Sequence, residues 1–471
     1  MVTPNTSSTA LPLTRAPSSV NFQVACVGIL AALAGLLFGL DIGVISGALP
    51  FIAATFRLGD VMQEWIVSSM MFGAALGAVG SGWLSFRLGR KKSLLLGAVL
   101  FVAGSALCAL AWSANIMIAG RVVLGLAVGI ASYTAPLYLS EIAPQRIRGA
   151  MISVYQLMIT IGILVVYLSN TQLSASGNWR AMVGVVAVSA VLFLLGVLCL
   201  PDSPRWLVIR QRKAEARHVL QRLRGSDEQV EAELAEIESS LQVKQRGFQL
   251  FRENANFRRS VGLGLALQVM QQLTGINVIM YYAPRIFAEA GFHSTRDQMW
   301  CTVIVGLVNV LSTFIAIGFV DRWGRKPILY AGFFIMAAGM GAVAMMLGQT
   351  QLSVGEQYFT VAMLLLFILG FAMSAGPLIW VLCSEIQPLQ GRDFGITCST
   401  FTNWIANMIV GASFLSLLHG LGGAHTFWLY AGFNAAFIVV TRYFIPETRG
   451  VSLEQIEGKL MAGKALVDIG R

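Results

Sequence analysis

The apolar residues of this 471-residue chain fall in blocks of about 20, the length that crosses a bilayer core as a helix. Inside hydrocarbon every backbone N–H and C=O must be satisfied within the segment, so repeated blocks of this length leave helices as the spanning structure. About twelve blocks are legible, near 23–53, 62–85, 94–112, 115–138, 150–170, 179–200, 260–288, 298–320, 327–348, 358–384, 394–418 and 424–445. Only 12% of the residues are charged and 56% are hydrophobic, against roughly 25% charged in a soluble domain. The expected fold is an all-α membrane protein of twelve transmembrane helices.

The formal net charge of +10 alone would suit a nucleic-acid binder, but its distribution does not. Basic residues cluster in "RLGRKK" (87–92), "PQRIRG" (144–149) and "DRWGRK" (321–326), while the alternate loops "WSAN" (112–115), "QTQLSVGEQ" (349–357) and "HGLGGAH" (419–425) are poor in Lys and Arg. This asymmetry assigns the basic loops to the cytoplasm, and an even number of spans puts both termini there. Residues 1–20 are polar and lack the apolar core and cleavage site of a signal peptide, so the first span is expected to remain. Cys26, Cys108, Cys199, Cys301, Cys383 and Cys398 lie in or beside apolar runs with no CxxC pair, so neither a metal nor a disulfide framework is expected. His218, His293, His419 and His425 lie outside the apolar blocks. With no phosphate-binding loop either, an enzyme or an ATP-driven pump is not expected.

The chain divides into an N-terminal tail (1–20), a first six-helix bundle (21–200), a polar linker (201–259), a second bundle (260–446) and a C-terminal tail (447–471). The linker mixes both charge signs with apolar residues at helical spacing, which predicts short amphipathic helices on the cytoplasmic face. The halves repeat. "RLGRKK" returns as "RWGRKP", "SEIAPQRIRG" as "SEIQPLQGRD", and "PDSPRW" as "PETRGV", each about half the chain later. Such repetition is expected of a transporter whose pseudo-symmetric halves enclose a central site.

These motifs, with "PLYLSEIAPQRIRG", "QQLTGINVIMYYAP", "AGPLIWVLCSEIQP" and "PETRG", resemble the sugar porters of the major facilitator superfamily along essentially the whole chain. The resemblance implies import of a monosaccharide, a hexose of the galactose or glucose type, with a proton as coupling ion and no other cofactor, through the inner membrane of a bacterium. A pentose such as arabinose, an uncoupled facilitator and a membrane sugar sensor are the alternatives. The implied partners are the sugar, the proton and the lipid bilayer, without nucleic acid, and the monomer is the expected working unit. One departure stands out: Phe86 occupies the place held by an acid, Asp321, in the second copy of the loop motif.

Asp41, in "LLFGLDIGVISG", is the acid of the first span, and an ionisable residue at membrane depth points to function. The resemblance pairs it with Arg121, which shares a helix face with Gly125 and Gly129. Burial disfavours the ionised carboxyl and a nearby cation favours it, so movement of Arg121 would switch Asp41 between proton uptake and release. A purely structural ion pair would place the same two residues together. Gly39, Gly43 and Gly47 form a stripe roughly opposite Asp41, predicted to pack on a different helix.

The resemblance assigns the sugar to Gln156, Gln271, Gln272, Asn277, Trp380 and Asn403, with Phe371 and Gly376 around them, Trp404 and Asn407 as weaker candidates, and Tyr281 and Tyr282 expected to close the pocket from outside. Amides suit a neutral sugar because each offers donors and acceptors to hydroxyls; the same amides could also simply hold helices together. On a straight helix Asn277 would lie about 120–140° from the two glutamines, so a shared ligand requires a break at Thr274–Gly275. Gly376 and Pro377 are expected to weaken the tenth span. Arg90, Glu141, Arg148, Asp321, Arg325, Glu385 and Arg392 are expected to form latches between the bundles at the cytoplasmic end when the protein opens outward; plain positive-inside anchors are the alternative.

Overall fold

The computed structural model describes residues 22–144, 147–224, 226–240, 247–349 and 351–470, with side chains for all of these except 22, 23, 240 and 316–322. Among them there are helices and no strands, and twelve helical stretches are long and apolar enough to span a membrane. The first half comprises α1 (Phe22–Phe56), α2 (Asp60–Leu88), α3 (Arg90–Ala109), α4 (Ala114–Ile142), α5 (Arg148–Ser174) and α6 (Trp179–Leu198). Four short helices follow, α7 (Pro204–Ile209), α8 (Lys213–Arg224), α9 (Asp227–Ser240) and α10 (Gly247–Glu253). The second half comprises α11 (Ala255–Leu273), α12 (Ile276–Glu289), α13 (Thr295–Trp323), α14 (Arg325–Leu347), α15 (Val354–Met373), α16 (Ala375–Glu385), α17 (Arg392–Gly411), α18 (Phe414–Leu421) and α19 (Gly423–Phe444), then α20 (Leu453–Met461). The spans form two pseudo-symmetric six-helix bundles, and the alternation of direction brings both ends of the described chain out on the linker side.

Small residues set how closely helices of the first bundle approach, since lipid offers no hydrophobic drive for helix pairing. The expected glycine stripe of α1 packs on α5: a Cβ on Gly39 would sit 2.0 Å from the Ile159 carbonyl oxygen, and one on Gly47 2.4 Å from the Asn170 amide. Asp41, on another face, meets α4 instead. On α4, Arg121, Gly125 and Gly129 face α2 at matching four-residue steps. Arg121 Nε donates to the Ile66 carbonyl at 3.2 Å, while Cβ atoms on Gly125 and Gly129 would lie 2.0 and 2.4 Å from the carbonyl oxygens of Met70 and Ala74.

The linker folds as the charge pattern suggests. Helices α8 and α9 are cross-braced by Lys213–Glu238, Arg217–Glu231 and Arg224–Glu233 ion pairs at 2.6, 3.0 and 2.7 Å. They dock on the first bundle, where Arg224 donates to the Ile142 carbonyl at 3.0 Å and the Trp206 indole to the Phe86 carbonyl at 2.9 Å. The seventh span starts at Ala255, ahead of the expected 260, because the Asn254 side chain caps it by accepting from the Asn256 and Phe257 amides.

Two helix breaks were expected, and the described chain has more. The seventh span breaks at Thr274–Gly275, where Gly275 has φ +93°. A second kink follows at Tyr282 (φ −120°, ψ 18°). The tenth span breaks at Ser374 (φ −129°, ψ −90°), just before Gly376 and Pro377. The eleventh, expected to be continuous over 394–418, is divided between Gly411 and Phe414; the Tyr282 hydroxyl donates to the freed Gly411 carbonyl at 2.8 Å.

A bulky residue in the α2–α4 contact has nowhere to go. Gly125→Val is expected to cost about 1–3 kcal/mol or more of overpacking, read as a lower melting temperature in detergent. Gly184→Ala in α6, where a Cβ meets nothing within 4 Å, should leave that temperature unchanged.

Candidate functional site

The charged part of the site lies inside the first bundle. Asp41 is fully buried and Arg121 is 2% exposed. Arg121 Nη1 donates to Asp41 Oδ1 at 2.8 Å. The guanidinium is held from a second side by the Ile66 carbonyl, yet among the described residues Asp41 Oδ2 and Arg121 Nη2 have no hydrogen-bond partner. The pair is therefore incompletely satisfied. A buried charge that loses its partner costs about 3–5 kcal/mol, so each of the two groups is held by the other.

The neutral part lies in the second bundle, where the broken seventh span meets α16 and α17. The break at Gly275 brings Asn277 to Gln272, with Asn277 Nδ2 donating to Gln272 Oε1 at 2.5 Å. Gln271 Nε2 donates to the carbonyls of Ala375 and Gly376, at 2.9 and 3.0 Å, just past the break in the tenth span. Asn403 Nδ2 donates to Gln271 Oε1 at 2.9 Å and to Gln268 Oε1 at 2.6 Å. Asn434 of α19 supports the seventh-span break by donating to the Thr274 carbonyl at 3.1 Å. A side chain at Gly275 would strike the Tyr430 ring, with Cβ 2.9 Å from Cδ1.

Gln271, Gln272, Asn277, Asn403 and Gly376 are thus drawn together. Phe371 packs its ring on Gly376. Tyr281 is buried and exchanges hydrogen bonds with Asn407, at 3.1 and 3.4 Å. Trp404 packs at a tilt against Phe38 of α1, with ring centroids 5.5 Å apart. Gln156 on α5 is exposed, as is Trp380 at 40%, and neither joins the buried amide network in the contacts described. Gln268 and Asn434 were not selected from sequence. Gln268 stood one turn before Gln271 as the third glutamine of that span, while Asn434 carried no local signal.

In this structure the arginines and glutamates expected to latch the bundles in an outward-open state pair within each bundle. Arg90 forks onto Glu141 at 2.7 and 2.8 Å, with Ser203 donating to the same carboxylate at 2.5 Å. The second half repeats this: Arg325 binds Glu385 at 3.0 Å, and Thr448 donates to it at 2.6 Å. The reason is antiparallel packing, which sets the first residue of α3 beside the last turn of α4, whereas the chain turns between Glu141 and Arg148. Arg148 is exposed and Arg392 half-buried. The Asp321 side chain lies outside the described residues.

Besides the Phe38–Trp404 contact at mid-helix, polar contacts join the halves toward the end away from the linker. Glu64 accepts from both the amide and hydroxyl of Ser416 at 2.7 Å, Asp60 pairs with His419, and the Tyr167 hydroxyl donates to the Met280 carbonyl at 2.8 Å. That end is closed.

A repeated twelve-helix fold, a buried acid–base pair and an amide cluster at helix breaks define a transporter, and comparison gives the family. Residues 27–460 match the family model described as sugar (and other) transporter; the chain belongs to that family. It is 66% identical over 441 residues to the galactose-proton symporter of Escherichia coli (strain K12), covering 94% of this chain and 95% of that protein. It is 56% identical over 473 residues to the arabinose-proton symporter of the same strain, covering 100% of both. The inward open conformation of the xylose transporter XylE from E. coli superposes with a TM-score of 0.80 at 30% identity, covering 92% of this chain and 99% of that one.

Replacing Asn403 leaves the Gln268 and Gln271 carbonyl oxygens without donors, at about 1–3 kcal/mol for each orphaned group. Asn403→Leu is expected to raise the half-saturation concentration for sugar at least about tenfold, the equivalent of about 1.4 kcal/mol, measured as initial uptake rate against sugar concentration.

Proposed function

We propose that the protein imports a hexose together with a proton across a bacterial inner membrane, by alternating access of a central site. The observation that carries this reading is the separation of chemistry between the halves. One bundle buries an acid bound to an arginine, and the other gathers neutral amides at broken helices. A neutral sugar needs hydrogen bonds and no counter-ion, whereas a coupling proton needs a titratable group.

Asp41 is assigned as proton carrier and Arg121 as the cation that governs its release. Gln271, Gln272, Asn277 and Asn403 are assigned to the sugar hydroxyls. Exposed Gln156 and Trp380 are assigned to the walls of a cavity open toward the linker, with the Trp380 ring against a sugar face. Tyr281 joins the sugar side to the pair, because its hydroxyl holds Asn407 while its helix α12 packs on α1. The contacts between Glu64 and Ser416 and between Tyr167 and Met280 hold the opposite end shut. The basic loops at the linker end support a cytoplasmic linker and cytoplasmic termini, hence an inward-facing state. The Arg90–Glu141 and Arg325–Glu385 pairs brace each bundle as a rigid body. The proposed units are the two bundles at 21–200 and 260–446 with tails and linker outside them, working as a monomer without a cofactor or nucleic acid.

Galactose is the favoured sugar because the galactose-proton symporter is the more similar of the two relatives; full-length coverage by the arabinose-proton symporter keeps arabinose as the second reading. The test is accumulation of radiolabelled galactose in cells lacking their own uptake systems, with unlabelled glucose and arabinose as competitors and a protonophore as control. The expected outcome is protonophore-sensitive accumulation that glucose competes more strongly than arabinose. Uptake of arabinose alone would move the assignment to a pentose, and uptake indifferent to the protonophore would make the protein a facilitator.

A further inference from the structure

The two unsatisfied atoms of the buried pair have a place to go. Asp41 and Arg121 border a small cavity walled by Val44 and Ile45 of α1, Cys108 of α3, Met117 and Leu124 of α4, and Val183 and Val186 of α6. All of these side chains are buried. The space open to the centre of a water molecule is about 10 Å³, at the lower edge of what one water occupies. Such a water could accept from Arg121 Nη2 and donate to Asp41 Oδ2, the two groups that otherwise have no partner.

The cavity's position in the fold matters more than its size. It is enclosed entirely by first-bundle helices, whereas the sugar amides belong to α11, α12 and α17. Cys108 is in the last turn of α3 and Met117 in the first turn of α4. Beyond them lies the turn that joins these helices, where Leu110 and Trp112 are each 73% exposed. This turn is at the end away from the linker. Cys108 of α3 and the Tyr281 phenol of α12 are the further titratable groups that the charges of the pair reach, and α2 contributes the Ile66 carbonyl.

We propose that Asp41 takes its proton through a one-water site inside the first bundle, reached past Cys108 and Met117 from the α3–α4 turn, and not through the sugar cavity. In the step, a hydronium ion gives its proton to Asp41 Oδ2, forming the neutral acid and leaving water in the site; Arg121 is then free to leave. This rests on the assignment of Asp41 as proton carrier. It adds that proton and sugar enter by separate routes, so sugar exchange needs no open proton route.

The test fills the cavity without touching the pair. Val183→Leu, and independently Val44→Ile from the opposite wall, are compared with Val183→Ala and the parent for sugar counterflow and for energised accumulation, at matched amounts in the membrane. The expected result is counterflow close to the parent's with accumulation down at least about tenfold in both filled variants, as for a slowed proton transfer, and Val183→Ala retaining both. Parent-like accumulation in the filled variants would overturn the proposal. So would loss of counterflow in both, which would make the cavity part of the sugar's own route. Asp41→Asn separates the underlying assignment: accumulation that survives this change refutes Asp41 as carrier, whatever the filled variants do.

Discussion

A carboxylate buried in an apolar helix bundle persists only if something answers its charge, and in this chain that is the Arg121 guanidinium 2.8 Å from Asp41. Much of the first bundle can be read as the means of holding these two groups together. The four-residue stripe on α4 presses glycines against α2, and the same face then delivers Arg121 to a backbone carbonyl of that helix. The glycine stripe of α1 seats on α5 and so leaves Asp41 free to face α4. Close backbone contact is what allows a guanidinium to be enclosed without strand or loop nearby.

The second bundle solves a different problem. A neutral polyol is recognised by many hydrogen bonds, and under the proposed assignment the amides gathered at the helix breaks would supply them. Each break frees backbone carbonyls that hydrocarbon will not solvate. Asn434 and Tyr282 satisfy carbonyls at two of them. The amides are therefore glue and candidate ligand contacts at once: in the closed network they bind the protein, and a sugar hydroxyl can replace a neighbour one bond at a time. With continuous helices around the acid and broken ones around the amides, the two halves differ in local structure despite their repeated sequence motifs.

Much of this was legible because membrane physics narrows the choices. Span length fixed the helix count, and charge asymmetry fixed which loops share a side. The angle between Asn277 and the glutamines demanded the break found at Gly275. The pairing of Asp41 with Arg121 came from family resemblance, since two residues 80 apart in sequence carry no local sign of contact. What stayed hidden depends on tertiary neighbours. The division of the eleventh span at Gly411 is stabilised by Tyr282 from another helix. Asn434 looks like any polar residue until Thr274 is beside it. The Glu–Arg motifs were visible, but not that antiparallel packing joins Arg90 to Glu141 and Arg325 to Glu385 within each bundle.

The most direct test of Asp41 as the coupling acid is the external pH of lightly buffered, de-energised cells on addition of galactose. With the parent protein the medium should turn alkaline as protons enter with sugar, and Asp41→Asn should abolish the change while sugar exchange continues. Galactose entry with no pH change in the parent, or an undiminished change in Asp41→Asn, would make the buried pair a structural feature and contradict the reading.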